Sequence, residues 1–157
     1  YDKIHLFDVK LLETGEHYEE SATIEPGNTS VVLDTPFGRL GLSVCYDLRF
    51  PELYRALAPV DLVLAPSAFT WTTGSAHWEV LLRARAIENQ CYLLAPAQGG
   101  QHENGRRTWG HSMLVDPWGE VVAARAADGE GVVVGDVSRG RLRQVRAGLP
   151  ALLHRVM

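Results

Sequence analysis

The chain of 157 residues holds two thiols, and their surroundings differ. Cys45 stands in GLSVCYDLRFPELYRAL, residues 41–57, where an apolar run gives way at once to tyrosine, aspartate and arginine. Cys91 opens CYLLAPA with no polar turn after it, and reads as core. A free cysteine is commonly a small buried hydrophobe, so position must carry any other reading of Cys45. A strand that ends in cysteine, turns sharply and enters a helix presents the sulfur at the turn, as a nucleophile elbow presents its serine. Amides at the start of that helix would favour a thiolate over the free thiol, whose pKa is about 8.5.

A cysteine nucleophile needs a base and an oxyanion partner. His5, His17, His77, His102, His111 and His154 are available, none in a cysteine-protease context, and spacing pairs none of them with Cys45. No two histidines or cysteines have zinc-site spacing, and phosphate loops and dinucleotide fingerprints are missing. Lysine offers another route. The chain has 13 arginines but only two lysines, Lys3 and Lys10, and a compact ammonium suits an oxyanion where the guanidinium fork does not. Arginine richness can equally reflect base composition, so Lys3 taken alone carries no argument.

The elements that must position these groups follow a mixed α and β pattern. Residues 31–34 and 40–45 flank PFG and read as paired strands joined at a turn. Pro51 suits the first position of a helix reaching about Ala58, with Glu52 in its first turn. Residues 61–65 and CYLLAPA read as buried strands. Residues 77–90 form the clearest helix, with Trp78, Leu81, Leu82 and Ile87 on one apolar face and Ser75 as its cap. HSMLVD and EVVAAR make a hairpin about PWG, GVVVGDV is a further strand, and Leu142, Val145 and Leu149 mark a short terminal helix. Residues 1–8 already read as a strand, and residues 98–108 are the one long polar insertion.

Composition sets outer bounds. With 46% hydrophobic and 22% charged residues the chain is globular, and residues 1–157 are expected to form one domain. A net charge of -4 with scattered arginines argues against nucleic acid and an anionic membrane as partners. No run approaches a membrane span, and the cysteines give no disulfide framework, which makes the cytoplasm the expected compartment.

Read together, YDKIHLFDV, YEESATIEPG, GLSVCYDLRFPELYRAL, LAPSAFTWTTGSAHWEVLLRARAIENQCYLLAPAQ and WGHSMLVDPWGEVVA stand in the order and spacing of one family. The chain resembles the nitrilase superfamily, the carbon-nitrogen hydrolases, over nearly all its length. Within it the resemblance is to the amidase branch acting on ω-amides and deaminated glutathione, and the AQGGQHE loop before WGHSM inclines it to the latter. The resemblance implies an α/β (α+β) fold, an α-β-β-α four-layer sandwich, of which this chain would supply the C-terminal two-thirds. It implies a homodimer or higher homo-oligomer, no metal or organic cofactor, and a small-molecule amide as substrate.

The family's catalytic set is a cysteine nucleophile, a lysine and a glutamate base, with a second glutamate in support. Cys45 matches the nucleophile, Lys3 the lysine and Glu20 in YEES the supporting glutamate. The base is expected upstream of Tyr1, and neither Glu13 nor Glu19 takes its role. By this resemblance Cys45 attacks an amide carbonyl, Lys3 and the Tyr46 backbone N–H hold the oxyanion, ammonia leaves, and water hydrolyses the thioester. Arg49 either orients the elbow, binds a substrate carboxylate or pairs with Glu52 at the surface. Ser67, Ala68, Phe69 and Thr70 follow a buried strand and are expected to line the pocket, although Phe69 also suits plain core. Arg83 and Arg85 read as structural ion pairs and His111 as a satisfied structural histidine. Three alternatives stand: a nitrile or carbamoyl hydrolase of the same superfamily, a catalytically silent assembly module, and an unrelated cysteine-histidine hydrolase.

Overall fold

The computed structural model describes residues 1–12, 14–126 and 129–156. Glu13 lies outside them. In chain order the elements are β1 (Asp8–Lys10), β2 (His17–Glu19), β3 (Val32–Thr35), β4 (Gly38–Leu42), α1 (Pro51–Leu57), β5 (Leu62–Leu64), α2 (Trp71–Asn89), β6 (Tyr92–Ala95), β7 (Gly99–Gln101), β8 (Arg107–Trp109), β9 (Ser112–Val115), β10 (Val121–Arg125) and α3 (Arg139–Gly148). Six strands form one sheet in the order β10-β9-β6-β5-β4-β3, parallel across β4-β5-β6 and antiparallel elsewhere. Two ribbons, β1-β2 and β7-β8, stand apart from it.

Alternation along the strands divides the core. Val63, Leu93, Ala95, Met113 and Val115 pack with Trp78, Leu82 and Ala86 of α2 and with Leu53, Tyr54 and Leu57 of α1. Tyr92 and Leu114, with the partly buried Leu62 and Leu94, face the other way toward Leu142 of α3. Tyr54, fully buried, satisfies its hydroxyl on Ser43 Oγ at 2.8 Å.

Local chemistry sets the ends. Pro51 opens α1 with its fixed φ and missing N–H. Thr70, rather than Ser75, caps α2: its hydroxyl accepts the Thr73 N–H at 3.3 Å, so the helix starts six residues before the periodic apolar stretch. Gln90 closes α2 in the left-handed conformation. Ile87, expected on the buried face, is 46% exposed. Arg83 pairs with Glu79, and Arg85 pairs with Glu88 while donating to Leu48 O at 3.0 Å, which ties α2 to the segment after Cys45. In the β9-β10 hairpin, Asp116 accepts the N–H groups of Trp118 and Glu120 at 2.8 and 2.9 Å.

Three expectations are corrected. Residues 131–137 form no strand: the Gly135 backbone lies against Leu114, Val122 and Ala123, over the face of β9-β10 and not along its edge. Residues 1–7 carry no ladder either, the first strand being Asp8–Lys10. The polar insertion is a ribbon, with Gly99 paired to Trp109 and Gln101 to Arg107.

Candidate active site

The chain beyond β4 continues alongside the chain beyond β5. Ser43 N donates to Leu64 O at 3.0 Å and Cys45 N to Pro66 O at 2.9 Å. At Cys45 the backbone enters the left-handed region, φ 50°, and a five-residue 3-10 turn, Cys45–Arg49, leads toward α1. The sulfur therefore sits at a strand-to-helix turn, above the C-terminal ends of two parallel strands.

Asp47 fixes this turn and was not singled out by the sequence reading. Its carboxylate, wholly buried, accepts the Val44 N–H at 2.9 Å. It also accepts from the Tyr1 hydroxyl at 2.7 Å and the His5 N–H at 3.0 Å, and lies 2.7 Å from His5 Nδ1. Burial, then the Asp47 carboxylate, pushes the Tyr1 phenol up and keeps it a donor. His5 stacks on Phe50 at 3.6 Å. One side chain thus joins residues 1–5 to the turn, and Lys3 arrives with them.

Lys3 Nζ is ion-paired with Glu20 Oε2, and the same oxygen accepts the Phe7 N–H at 2.7 Å. Lys3, Glu20 and Cys45 line one cavity of about 820 Å³. Tyr46, Arg49, Ser67, Ala68, Phe69 and Thr70 line it as well. The Ala68 N–H points at Cys45 Sγ, 3.5 Å away. Phe69 is both wall and core, its ring edge-on to Trp78 at 5.0 Å. The Ser67 hydroxyl donates to Ala65 O at 2.9 Å, and Thr70 is the α2 cap. Arg49 makes no ion pair with Glu52, which is exposed; its guanidinium lies 5.1 Å from the Phe69 ring and 5.9 Å from the Tyr46 ring, with His77 Nδ1 at 3.2 Å.

Among the wall residues that sequence reasoning missed are Tyr18 of β2, Gln98, Arg106 at the tip of the β7-β8 ribbon, and Ser112. Only Arg106 carried a signal, as a cation in a polar insertion. No histidine lines the cavity. His111 is stacked on Trp109 with Nδ1 2.7 Å from Trp109 O, and His102 bonds Thr108. Among the described residues no group of three or more His, Cys, Asp or Glu could hold a metal, and no helix is long and apolar enough to cross a membrane.

The expectation of a thiol lowered by helix amides is overturned. Burial pushes the Cys45 thiol up, against the downward pull of the Ala68 N–H, Lys3 and Arg49, and the Glu20 carboxylate adds to the rise. Cys91, wholly buried, is pushed up to about 12 by desolvation, as suits inert core. The pH midpoint for alkylation of Cys45 by iodoacetamide is expected above the ordinary thiol value of about 8.5. Lys3→Ala should raise it further, since the ammonium favours the thiolate, and Glu20→Gln should lower it. A midpoint below 8.5, or shifts of the opposite sign, would contradict this electrostatic account.

Comparison with known proteins gives a consistent picture. The family model described as carbon-nitrogen hydrolase matches residues 1–147. A deaminated glutathione amidase from Yersinia enterocolitica is 49% identical over 156 residues, 98% of this chain and 54% of that protein. The crystal structure of Saccharomyces cerevisiae Nit3, a member of branch 10 of the nitrilase superfamily, aligns with TM-score 0.84 and 33% identity, covering 98% of this chain and 52% of that one. A mutant of the amidase from Nesterenkonia sp., which shows Michael addition of acrylamide at its active site cysteine, aligns with TM-score 0.74 and 33% identity, covering 96% of this chain and 56% of that one. The chain spans about half the length of the curated relatives it matches. These likenesses establish the nitrilase-type α/β fold. The six-stranded sheet with α1 and α2 on one face supplies one helical layer and one sheet layer of the expected sandwich.

Proposed function

This chain belongs to the carbon-nitrogen hydrolase family, and from that premise we propose that it carries the nucleophile, the lysine and the supporting glutamate of an amidase for small amides of the deaminated glutathione or ω-amide type. The observation that carries this reading is the meeting of Cys45, Lys3 and Glu20, from three separate segments, at one cavity. Cys45 Sγ attacks the amide carbonyl as its proton passes to a glutamate base, the group expected upstream of Tyr1. The negative charge gathering on the carbonyl oxygen is held by the Lys3 ammonium and the Tyr46 backbone N–H. Glu20 holds Lys3 in place through their ion pair. The base then protonates the departing nitrogen, which leaves as ammonia from a primary amide or as an amine from a secondary one. Water, deprotonated by the same carboxylate, cleaves the thioester to a carboxylic acid and frees the sulfur. Arg49, desolvated and with no carboxylate partner among the described residues, is placed to take a substrate carboxylate. The working assembly is a homodimer or higher homo-oligomer.

Hydroxylamine tests the acyl-enzyme. Added during turnover of deaminated glutathione, it should divert the acyl group to a hydroxamate. Carboxylate forming with no hydroxamate at high hydroxylamine would rule the thioester out. Lys3→Ala should lower kcat by about 100- to 1000-fold, the usual loss for one oxyanion donor. A variant within threefold of the parent would remove Lys3 from the oxyanion site.

A further inference from the structure

The cavity holds a second cation whose charge the family's catalytic set does not use. Arg106 sits at the tip of the β7-β8 ribbon, its guanidinium 4.9 Å from the centre of the Tyr18 ring on β2. The Tyr18 hydroxyl is in turn held by Glu16 at 2.9 Å. The guanidinium is therefore parked against a tyrosine that is itself fixed and whose hydroxyl it also reaches, yet among the described residues it makes no ion pair, although Glu19 lines the same cavity. Arg49 likewise has no carboxylate partner among the described residues but lies on the turn of Cys45 itself, so the two cations approach the cavity from different elements. Lys3, by contrast, is neutralised by Glu20.

We propose that Arg106 is a specificity-determining residue that binds the distal carboxylate of a substrate bearing one carboxylate at each end, while Arg49 takes the carboxylate nearer the reacting amide. This rests on the amidase reading and narrows it. Glutathione has a carboxylate at each end, and deamination removes neither. An amide with a single carboxylate would leave Arg106 unused. The planar fork on a fixed ring is suited to bidentate capture, and an open rim position keeps the guanidinium solvated when no ligand is bound.

Binding separates this proposal from the chemistry. The probes are deaminated glutathione and the same compound with its glycine carboxylate converted to a primary amide, titrated calorimetrically into Cys45→Ala protein, which cannot turn either over. The parent Cys45→Ala protein should bind the dicarboxylate about 10- to 100-fold more tightly than the amidated compound. Adding Arg106→Ala should collapse that ratio to within about threefold, and Arg106→Lys should restore part of it. A ratio unchanged by Arg106→Ala overturns the assignment, as does a parent protein that does not distinguish the two probes. The amidase reading fails on a different result: protein that carries the glutamate base and an intact Cys45, and binds deaminated glutathione with the expected discrimination, but never hydrolyses it.

Discussion

Cys45→Ser is expected to lower amide turnover by about 10⁴- to 10⁶-fold while leaving the fold and ligand binding in place. A serine hydroxyl is a far weaker acid than a thiol, and burial that already raises the thiol would raise it too. The Ala68 N–H and the Lys3 ammonium would remain, so the cavity keeps its donors and loses its nucleophile. The check is kcat for the parent and the variant, alongside the dissociation constant for the dicarboxylate. Cys91→Ser supplies the contrast. Its hydroxyl would be wholly buried among apolar neighbours at a cost of about 1–3 kcal/mol, with the chemistry untouched. If Cys45→Ser retained a tenth of parental turnover, another nucleophile would have to be sought.

Asp47→Ala should be among the most destabilising single changes in the molecule, by about 3–5 kcal/mol. Alanine would leave the N–H groups of Val44 and His5, the Tyr1 hydroxyl and the His5 ring without their common acceptor. Stranded donors in a desolvated place cost more than the net worth of each bond. Asp47→Asn keeps the volume and one acceptor but turns an NH₂ toward one set of donors, so an intermediate loss is expected. Urea unfolding measures both: the midpoint should fall with little change in slope. A loss below about 1 kcal/mol for the alanine variant would show that solvent replaces Asp47 without difficulty. Alkylation of Cys45 in folded Asp47→Ala protein adds a second readout, because release of residues 1–5 removes Lys3 from beside the thiol.

That Cys45, Lys3 and Glu20 would meet at one cavity was readable because each lies in a distinct motif, and motif order survives in a linear string. Asp47 sat inside one of those motifs, yet its importance comes from Tyr1 and His5, more than 40 residues away in sequence. Tyr18 and Arg106 meet across ribbons that no local periodicity connects. The start of α2 was misplaced because TWTTGS has no apolar stripe, and a single threonine cap decides it. GVVVGDV has the composition of a strand, but pairing depends on a free edge beside it, and composition says nothing of that. The direction of the Cys45 shift was misread for a similar reason. Helix amides are visible in a sequence, whereas burial of the sulfur is a property of the assembled walls.

The left-handed backbone at Cys45 has a consequence for how this protein tolerates change. A side chain at φ 50° stores roughly 1–3 kcal/mol of torsional strain, which only the surrounding contacts oblige the chain to keep. Glycine would release that strain, but it has no sulfur. On the proposed role of Cys45, selection for thermostability alone would push against the residue that selection for turnover retains. The most relaxed form of this turn is an inert one.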